Sequence, residues 1–286
     1  MKIGFVGLGV MGFPMAGHLA KAGHDLQVFN RSPEKAVRFV SEHGGLAAQT
    51  ITEAAYEAEL FILCVGNDDD VRSVIGEGLE HLAKGAVVVD HTTTSAHLAR
   101  EMAERCGVVG RSFLDAPVSG GQAGAQNGVL TAMVGGDAGA LSRIEPALSA
   151  YCRTIRRIGE AGAGQLAKMV NQICIAGVVQ GLAEGVHFAK LAGLDPAVVY
   201  EAISKGAAQS WQMDNRWATM SEGKFDFGFA VDWMRKDLGI ALGEARANGA
   251  NLPLTALVDQ FYAEVQAMGG RRWDTSSLAA RLERAP

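Results

Sequence analysis

The chain has 286 residues, room for one large domain or two ordinary ones with a substantial buried core. Its 26 Lys and Arg stand against 31 Asp and Glu, a net charge of -5, which argues against nucleic acid or an acidic membrane surface as partner. Four scattered cysteines, Cys64, Cys106, Cys152 and Cys174, make no CxxC pair and have no His at ligand spacing, so reduced cytoplasmic thiols and no metal site are expected.

From the N-terminus, β-rich apolar runs alternate with helical patterns. Strands are predicted at KIGFVG, DLQVFN, LFILCV, AVVVDH, SFLDAP, TAMVGG and TIRRIG. Several are Val, Ile and Leu without alternation, as in strands buried on both faces. Between them MGFPMAGHLAKAG, SPEKAVRFVSEHG and SAHLAREMAERCG carry apolar residues at helical spacing, and each ends on a glycine suited to cap it. The prediction for residues 1–161 is an α/β Rossmann-type doubly wound parallel sheet. Gly7, Gly9, Gly12 and Pro14 break the apolar N-terminus, which therefore does not read as a signal peptide. The acidic triplet Asp68 to Asp70 reads as a solvated loop.

Past GEAGAG no β-branched runs recur and helix formers dominate, so residues 162–286 are predicted as an all-α C-terminal domain. Its first helix should run from about Gly164 to Ala192. Within it Gly177, Gly181, Gly185, Ala189 and Gly193 fall four apart, a smooth stripe for close packing inside the domain or against a second subunit. Lys168, Asn171, Glu184, His187 and Lys190 argue against a membrane span here.

Gly7, Gly9 and Gly12 form GxGxxG directly after a strand and at the head of a helix, the context in which that pattern signals a dinucleotide site. Gly7 to Gly12, with Leu8, Val10 and Met11 between the glycines, would cradle the pyrophosphate on helix N-terminal amides. The second strand ends in Asn30 rather than the acid that would bind the adenosine ribose of NAD, and Arg31 follows. A guanidinium there, helped by Ser32 and Lys35, suits the 2′-phosphate of NADP. NADP is therefore the expected cofactor, although Asn30 also admits NAD.

A second cluster, FLDAPVSGGQAGAQNG, sets Ser119, Gly120 and Gly121 after a strand as a small anion nest suited to a carboxylate. PVSGG lacks the flanks of a hydrolase nucleophile elbow. In GAGQLAKMVNQ, Lys168, Asn171 and Gln172 stand at i, i+3 and i+4 and share a helix face. They read either as a solvated face near a helix start or as polar groups overlooking the site of the nicotinamide ring.

With these motifs in hand, the chain resembles the β-hydroxyacid dehydrogenase family nearly end to end, through GFVGLGVMGFPMAGHLAKAGH, DAPVSGGQAGAQNGVLTAMVGG, GAGQLAKMVNQ and FGFAVDWMRKDL. The resemblance implies that Lys168 is the catalytic residue and that Asn171 orients the substrate. It implies that Ser119, Gly120 and Gly121, with Gln172, hold a small carboxylate-bearing substrate. It also implies cofactor contacts at Val65, Thr93 and Lys236. CVGNDDD lacks the proline common after Val65, Gln172 matches the semialdehyde reductases where other members have Asn, and His91 replaces a small or apolar residue. The implied protein is a cytoplasmic homodimer or homotetramer. The implied reaction is the reversible reduction of a semialdehyde or glyoxylate-type aldehyde to its hydroxyacid, with Lys168 as acid/base. An NAD-dependent 3-hydroxyisobutyrate-type dehydrogenase, an imine reductase and a non-catalytic nucleotide-binding protein are the competing readings. Trp211, Trp217, Phe225, Phe227, Phe229 and Trp233 are expected near the pocket wall or in the core.

Overall fold

The computed structural model describes residues 1–283. The first part contains β1 (Lys2–Val6), α1 (Gly12–Lys21), β2 (Asp25–Phe29), α2 (Pro33–His43), β3 (Leu46–Ala47), α3 (Ile51–Ala55), β4 (Leu60–Leu63), α4 (Asp68–Gly78) and β5 (Val87–Asp90). It continues with α5 (Ala96–Val108), β6 (Ser112–Asp115), β7 (Val118–Ser119), α6 (Gly121–Gln126), β8 (Leu130–Gly136), α7 (Ala138–Leu148) and β9 (Cys152–Gly159). Then follow α8 (Ala163–Leu191), α9 (Pro196–Ile203), α10 (Trp211–Ser221), α11 (Val231–Asn248), α12 (Pro253–Ala267) and α13 (Leu278–Leu282). The chain divides into two compact units after Lys168, and α8 contributes to both.

All seven predicted strands are present, and β3 and β7, two residues each, are too short to leave a period in the sequence. The order β3-β2-β1-β4-β5-β6 is parallel throughout and is the dinucleotide-binding arrangement. Beyond it the sheet departs from the wholly parallel prediction. β8 runs antiparallel to β6 and β7, and β9 lies parallel to β8. The segment joining β6 to β8 holds only β7 and the six-residue α6, too little to build a covering crossover.

Alternation along the central strands explains the uninterrupted apolar runs. Ile3, Phe5, Leu60, Ile62, Val87 and Val89 enter one core with Met15, Leu19, Phe39 and Ile144. Phe61, Leu63 and Val88 enter the other with Ala54, Val74, Leu98 and Met102. Two expectations are corrected. The Asp68 to Asp70 triplet is the first turn of α4, where Asn67 caps the helix and negative charge is favourable, and not a loop. α5 runs through Gly107 to Val108, and the left-handed residue is Gly110, because the Cys106 carbonyl accepts from both Val109 and Arg111.

The second unit is helical. Val179, Leu182 and Val186 of α8 pack with Met213, Trp217, Met234, Leu238, Val258 and Tyr262. A Cβ on Gly177 would meet Leu254 at 3.1 Å and one on Gly185 would meet Trp217 at 3.7 Å, whereas Gly181 is exposed with nothing near it. The small-residue stripe is therefore covered at Gly177, Gly185 and Ala189 and open at Gly181 and Gly193. By length and composition α8 is apolar enough to cross a membrane, and five of its residues lie in the core just described.

Candidate active site

β1 delivers the chain into Gly7, whose φ of 101° excludes an ordinary side chain. A Cβ on Gly7 would collide with the Cys64 carbonyl, and one on Gly12 with the Gly7 carbonyl, so the turn and the approach of α1 both require glycine. Gly9 has open space around it and is exposed together with Val10. The first turn of α1 carries no acid of its own against the helix's positive end. This loop fits a dinucleotide pyrophosphate.

Asn30 has a role that its position alone did not disclose. Its Oδ1 accepts the Leu8 N–H at 2.8 Å and its Nδ2 donates to the Ser32 carbonyl at 3.1 Å, tying the glycine loop to the end of β2. Ser32 starts α2, and the Arg31 side chain is 92 % exposed with Asp70 3.8 Å away. Arg31 thus lies in solvent with one carboxylate facing it.

Val65 meets Thr92, the neighbour of Thr93, beyond the ends of β4 and β5. The Thr92 hydroxyl accepts the Val65 N–H at 3.0 Å. Gln165, fully buried in the first turn of α8, holds both neighbours of Thr93: its Nε2 donates to the Thr92 carbonyl at 2.7 Å and its Oε1 accepts the Thr94 N–H at 3.0 Å. Asp115 in turn accepts the Gly162 and Gln165 N–H groups at 2.8 and 2.9 Å, capping α8 from the end of β6. Burial raises the Asp115 carboxyl above its ordinary value against the pull of these backbone donors.

Sequence reasoning missed both residues. Their signals were an acid inside a buried strand and a glutamine one turn before Lys168 in an apolar helix.

His91 belongs to the same layer. Its Nδ1 lies 2.6 Å from the Ala116 carbonyl and its Nε2 2.8 Å from the Tyr151 hydroxyl. Nδ1 must carry the hydrogen, leaving Nε2 to accept from Tyr151. Burial lowers the His91 pKa to about 4 and pushes the Tyr151 hydroxyl well above its ordinary value, so the pair is neutral.

At the end of α8 that belongs to the first unit, Lys168 is 8 % exposed and its Nζ donates to the Val118 carbonyl at 3.0 Å. Ser119 follows at once, paired with Thr131 of β8, and Gly120 and Gly121 turn the chain into α6 with φ of 130° and 61°. The lysine therefore meets the residue just before the serine-glycine turn, 50 positions away in sequence.

In the second unit Asn171 is half-buried and donates to Gln172 Oε1 at 2.8 Å, while Gln172 Nε2 donates to Asp237 Oδ2 at 2.7 Å. Gln172 was expected at the substrate. It is 2 % exposed, and its amide contacts Asn171, Asp237 and, at 3.6 Å, the Met234 Sδ. Lys236 lies 3.5 Å from Asp237. Of the six aromatic residues, Trp217 and Phe225 are core, and Trp211, Phe227, Phe229 and Trp233 reach solvent, with Arg216 stacked on Trp211 and Phe227.

Residues 2–159 match the NAD binding domain of 6-phosphogluconate dehydrogenase, and residues 162–282 match the NAD-binding region of NADP-dependent 3-hydroxyisobutyrate dehydrogenase. The chain is 63 % identical to an uncharacterised oxidoreductase of Shewanella frigidimarina (strain NCIMB 400), with 99 % of each chain covered. It is 35 % identical to the 2-hydroxy-3-oxopropionate reductase of Escherichia coli (strain K12), over 99 % of this chain and 97 % of that one. A solved structure of Mycobacterium tuberculosis 3-hydroxyisobutyrate dehydrogenase with L-serine superposes with a TM-score of 0.90 at 32 % identity, covering 99 % of both chains. The chain belongs to the β-hydroxyacid dehydrogenase family of NAD(P)-dependent oxidoreductases.

Proposed function

We propose that this chain is an NADP-preferring reductase of a small carboxylate-bearing aldehyde of semialdehyde or glyoxylate type, and in reverse a 3-hydroxyacid dehydrogenase. The observation that carries the reading is the Lys168 ammonium held on the Val118 carbonyl beside the Ser119–Gly121 turn. The Ser119 hydroxyl and the amides of Gly120 and Gly121 bind the substrate carboxylate, which brings the carbonyl oxygen to Lys168. Lys168 donates a proton to that oxygen in reduction and takes it back in oxidation. The bound nicotinamide supplies or accepts the hydride. Asn171, one turn further along α8 and held by Gln172, orients the substrate.

On the cofactor side the Gly7–Gly12 loop takes the pyrophosphate, Arg31 and Ser32 the 2′-phosphate, and Val65, Thr93 and Lys236 the rest of the dinucleotide. Residues 1–161 form the nucleotide-binding part and 162–286 the substrate and oligomerisation part of a cytoplasmic enzyme. Val170, Val178, Phe188 and Leu191 are exposed on α8, which supports a homodimer or homotetramer built on this helix. A light-scattering mass equal to one chain removes that assignment.

The deciding experiment follows NADPH and NADH oxidation with glyoxylate, succinic semialdehyde, tartronate semialdehyde and methylmalonate semialdehyde in turn. Turnover of one aldehyde with NADPH favoured is expected. NADH preference reverses the cofactor assignment, and no turnover of any aldehyde removes the reductase reading for this substrate class.

A further inference from the structure

We infer that Asp70 tunes cofactor selectivity by opposing the 2′-phosphate at Arg31. The inference rests on the reading of Arg31 as the phosphate clamp. Arg31, just past β2, faces Asp70 in the first turn of α4, with an Arg31 Nη1 to Asp70 Oδ1 distance of 3.8 Å. The Arg31 side chain lies almost wholly in solvent, so a phosphate can reach it without displacing packed atoms.

Asp70 is held in place. Its Oδ2 accepts the Gly66 N–H at 3.1 Å, and its own N–H donates to the Asn67 side chain at 3.0 Å. Swinging the carboxylate away from Arg31 would break the Gly66 bond at the neck of the loop. The other two acids of the triplet are engaged elsewhere: Asp68 accepts from the Ser95 N–H and hydroxyl, and Asp69 pairs with Arg72.

A 2′-phosphate brings about two negative charges to the guanidinium that Asp70 faces, whereas the 2′-hydroxyl of NAD brings none. The NADP complex must therefore form beside a fixed like charge and share Arg31 with it. The NAD complex leaves the Arg31–Asp70 pair as it stands. Asn30, Arg31 and Ser32 pull selectivity toward NADP, and Asp70 pulls it back toward dual use. Because the pair is exposed, its influence is moderate and falls with salt.

The test is a pair of fluorescence titrations, NADPH and NADH against the full chain, which needs no aldehyde. Asp70→Asn keeps an oxygen for Gly66 and removes the charge. It is expected to raise the ratio of the NADH Kd to the NADPH Kd about three- to tenfold at low ionic strength, with a smaller rise at high salt. Asp70→Thr, which also keeps an oxygen, should move the ratio the same way. A ratio that stays constant or falls overturns the inference.

Arg31→Ala separates this from failure of the clamp. If Arg31→Ala lowers the ratio while neither Asp70 variant raises it, the clamp stands and the Asp70 inference falls. If Arg31→Ala leaves the ratio unchanged, both fall.

Discussion

Lys168 Nζ donates to the carbonyl of Val118, the residue immediately before Ser119, at 3.0 Å. A backbone carbonyl on a strand fixes the ammonium more rigidly than a side chain would, and it adds no second titrating group at the contact. With Lys168→Met the stem volume is kept and the proton donor removed, so kcat should fall by about two to four orders of magnitude. The NADPH Kd should stay within about twofold, because Lys168 touches the substrate oxygen in this mechanism and not the nucleotide. A kcat near wild type ends its assignment as the acid/base.

Gln165 should behave as a positioning residue. Gln165→Ala leaves the buried Thr92 carbonyl and Thr94 N–H without their partner, a loss of about 1–3 kcal/mol in urea unfolding. Because Thr93 lies between them, cofactor KM should rise together with the drop in stability. Gln165→Glu keeps the Thr94 bond but puts an acceptor against the Thr92 carbonyl, so it should rescue neither quantity. Unchanged cofactor KM in a folded Gln165→Ala protein would show the amide to be purely structural.

The His91–Tyr151 pair gives the fold an acid-sensitive point. The folded-state pKa of His91 is lowered to about 4 from an ordinary 6.5, so the unfolded chain binds more protons between those values and stability falls as pH drops through that window. From pH 7.5 to pH 4.5 this one group should remove about 2–3 kcal/mol of unfolding free energy. Urea midpoints for wild type and His91→Gln at both pH values measure it. The wild type should lose more than the variant on acidification, and equal losses contradict the account.

Asn30 separates two chemistries that share a position. Asn30→Ala removes the acceptor of the Leu8 N–H, so the Kd of both NADPH and NADH should rise. Asn30→Asp keeps that acceptor and adds a charge, so NADPH binding should weaken by about tenfold more than NADH binding. Parallel shifts in Asn30→Asp would show that the position does not sense the 2′-phosphate.

The sheet, the phosphate loop and the helical second half were legible in the sequence because each rests on local patterning: apolar runs, glycine spacing, helix periodicity. The reversal at β8 was not, since antiparallel pairing depends on how little chain joins β6 to it, and a run such as TAMVGG carries no direction. Lys168 and Ser119 could be named individually, but the Val118 carbonyl that joins them leaves no mark on side-chain patterns. Gln172 was read from its spacing and from the family resemblance. Its burial against Asp237, 65 positions away, is a tertiary fact. The acidic triplet looked solvated because charge suggests exposure, and only the Asn67 cap turns it into a helix start.

The Asn30 bridge to Leu8 also bears on how this lineage could change. Asn30, at the end of β2, is occupied with closing the loop, so under the proposed reading much of the selectivity would fall to Arg31 and Asp70 on the surface. Substitutions there leave the buried layers untouched. A descendant could cross from one nicotinamide pool to the other in one or two steps, with every intermediate still folded.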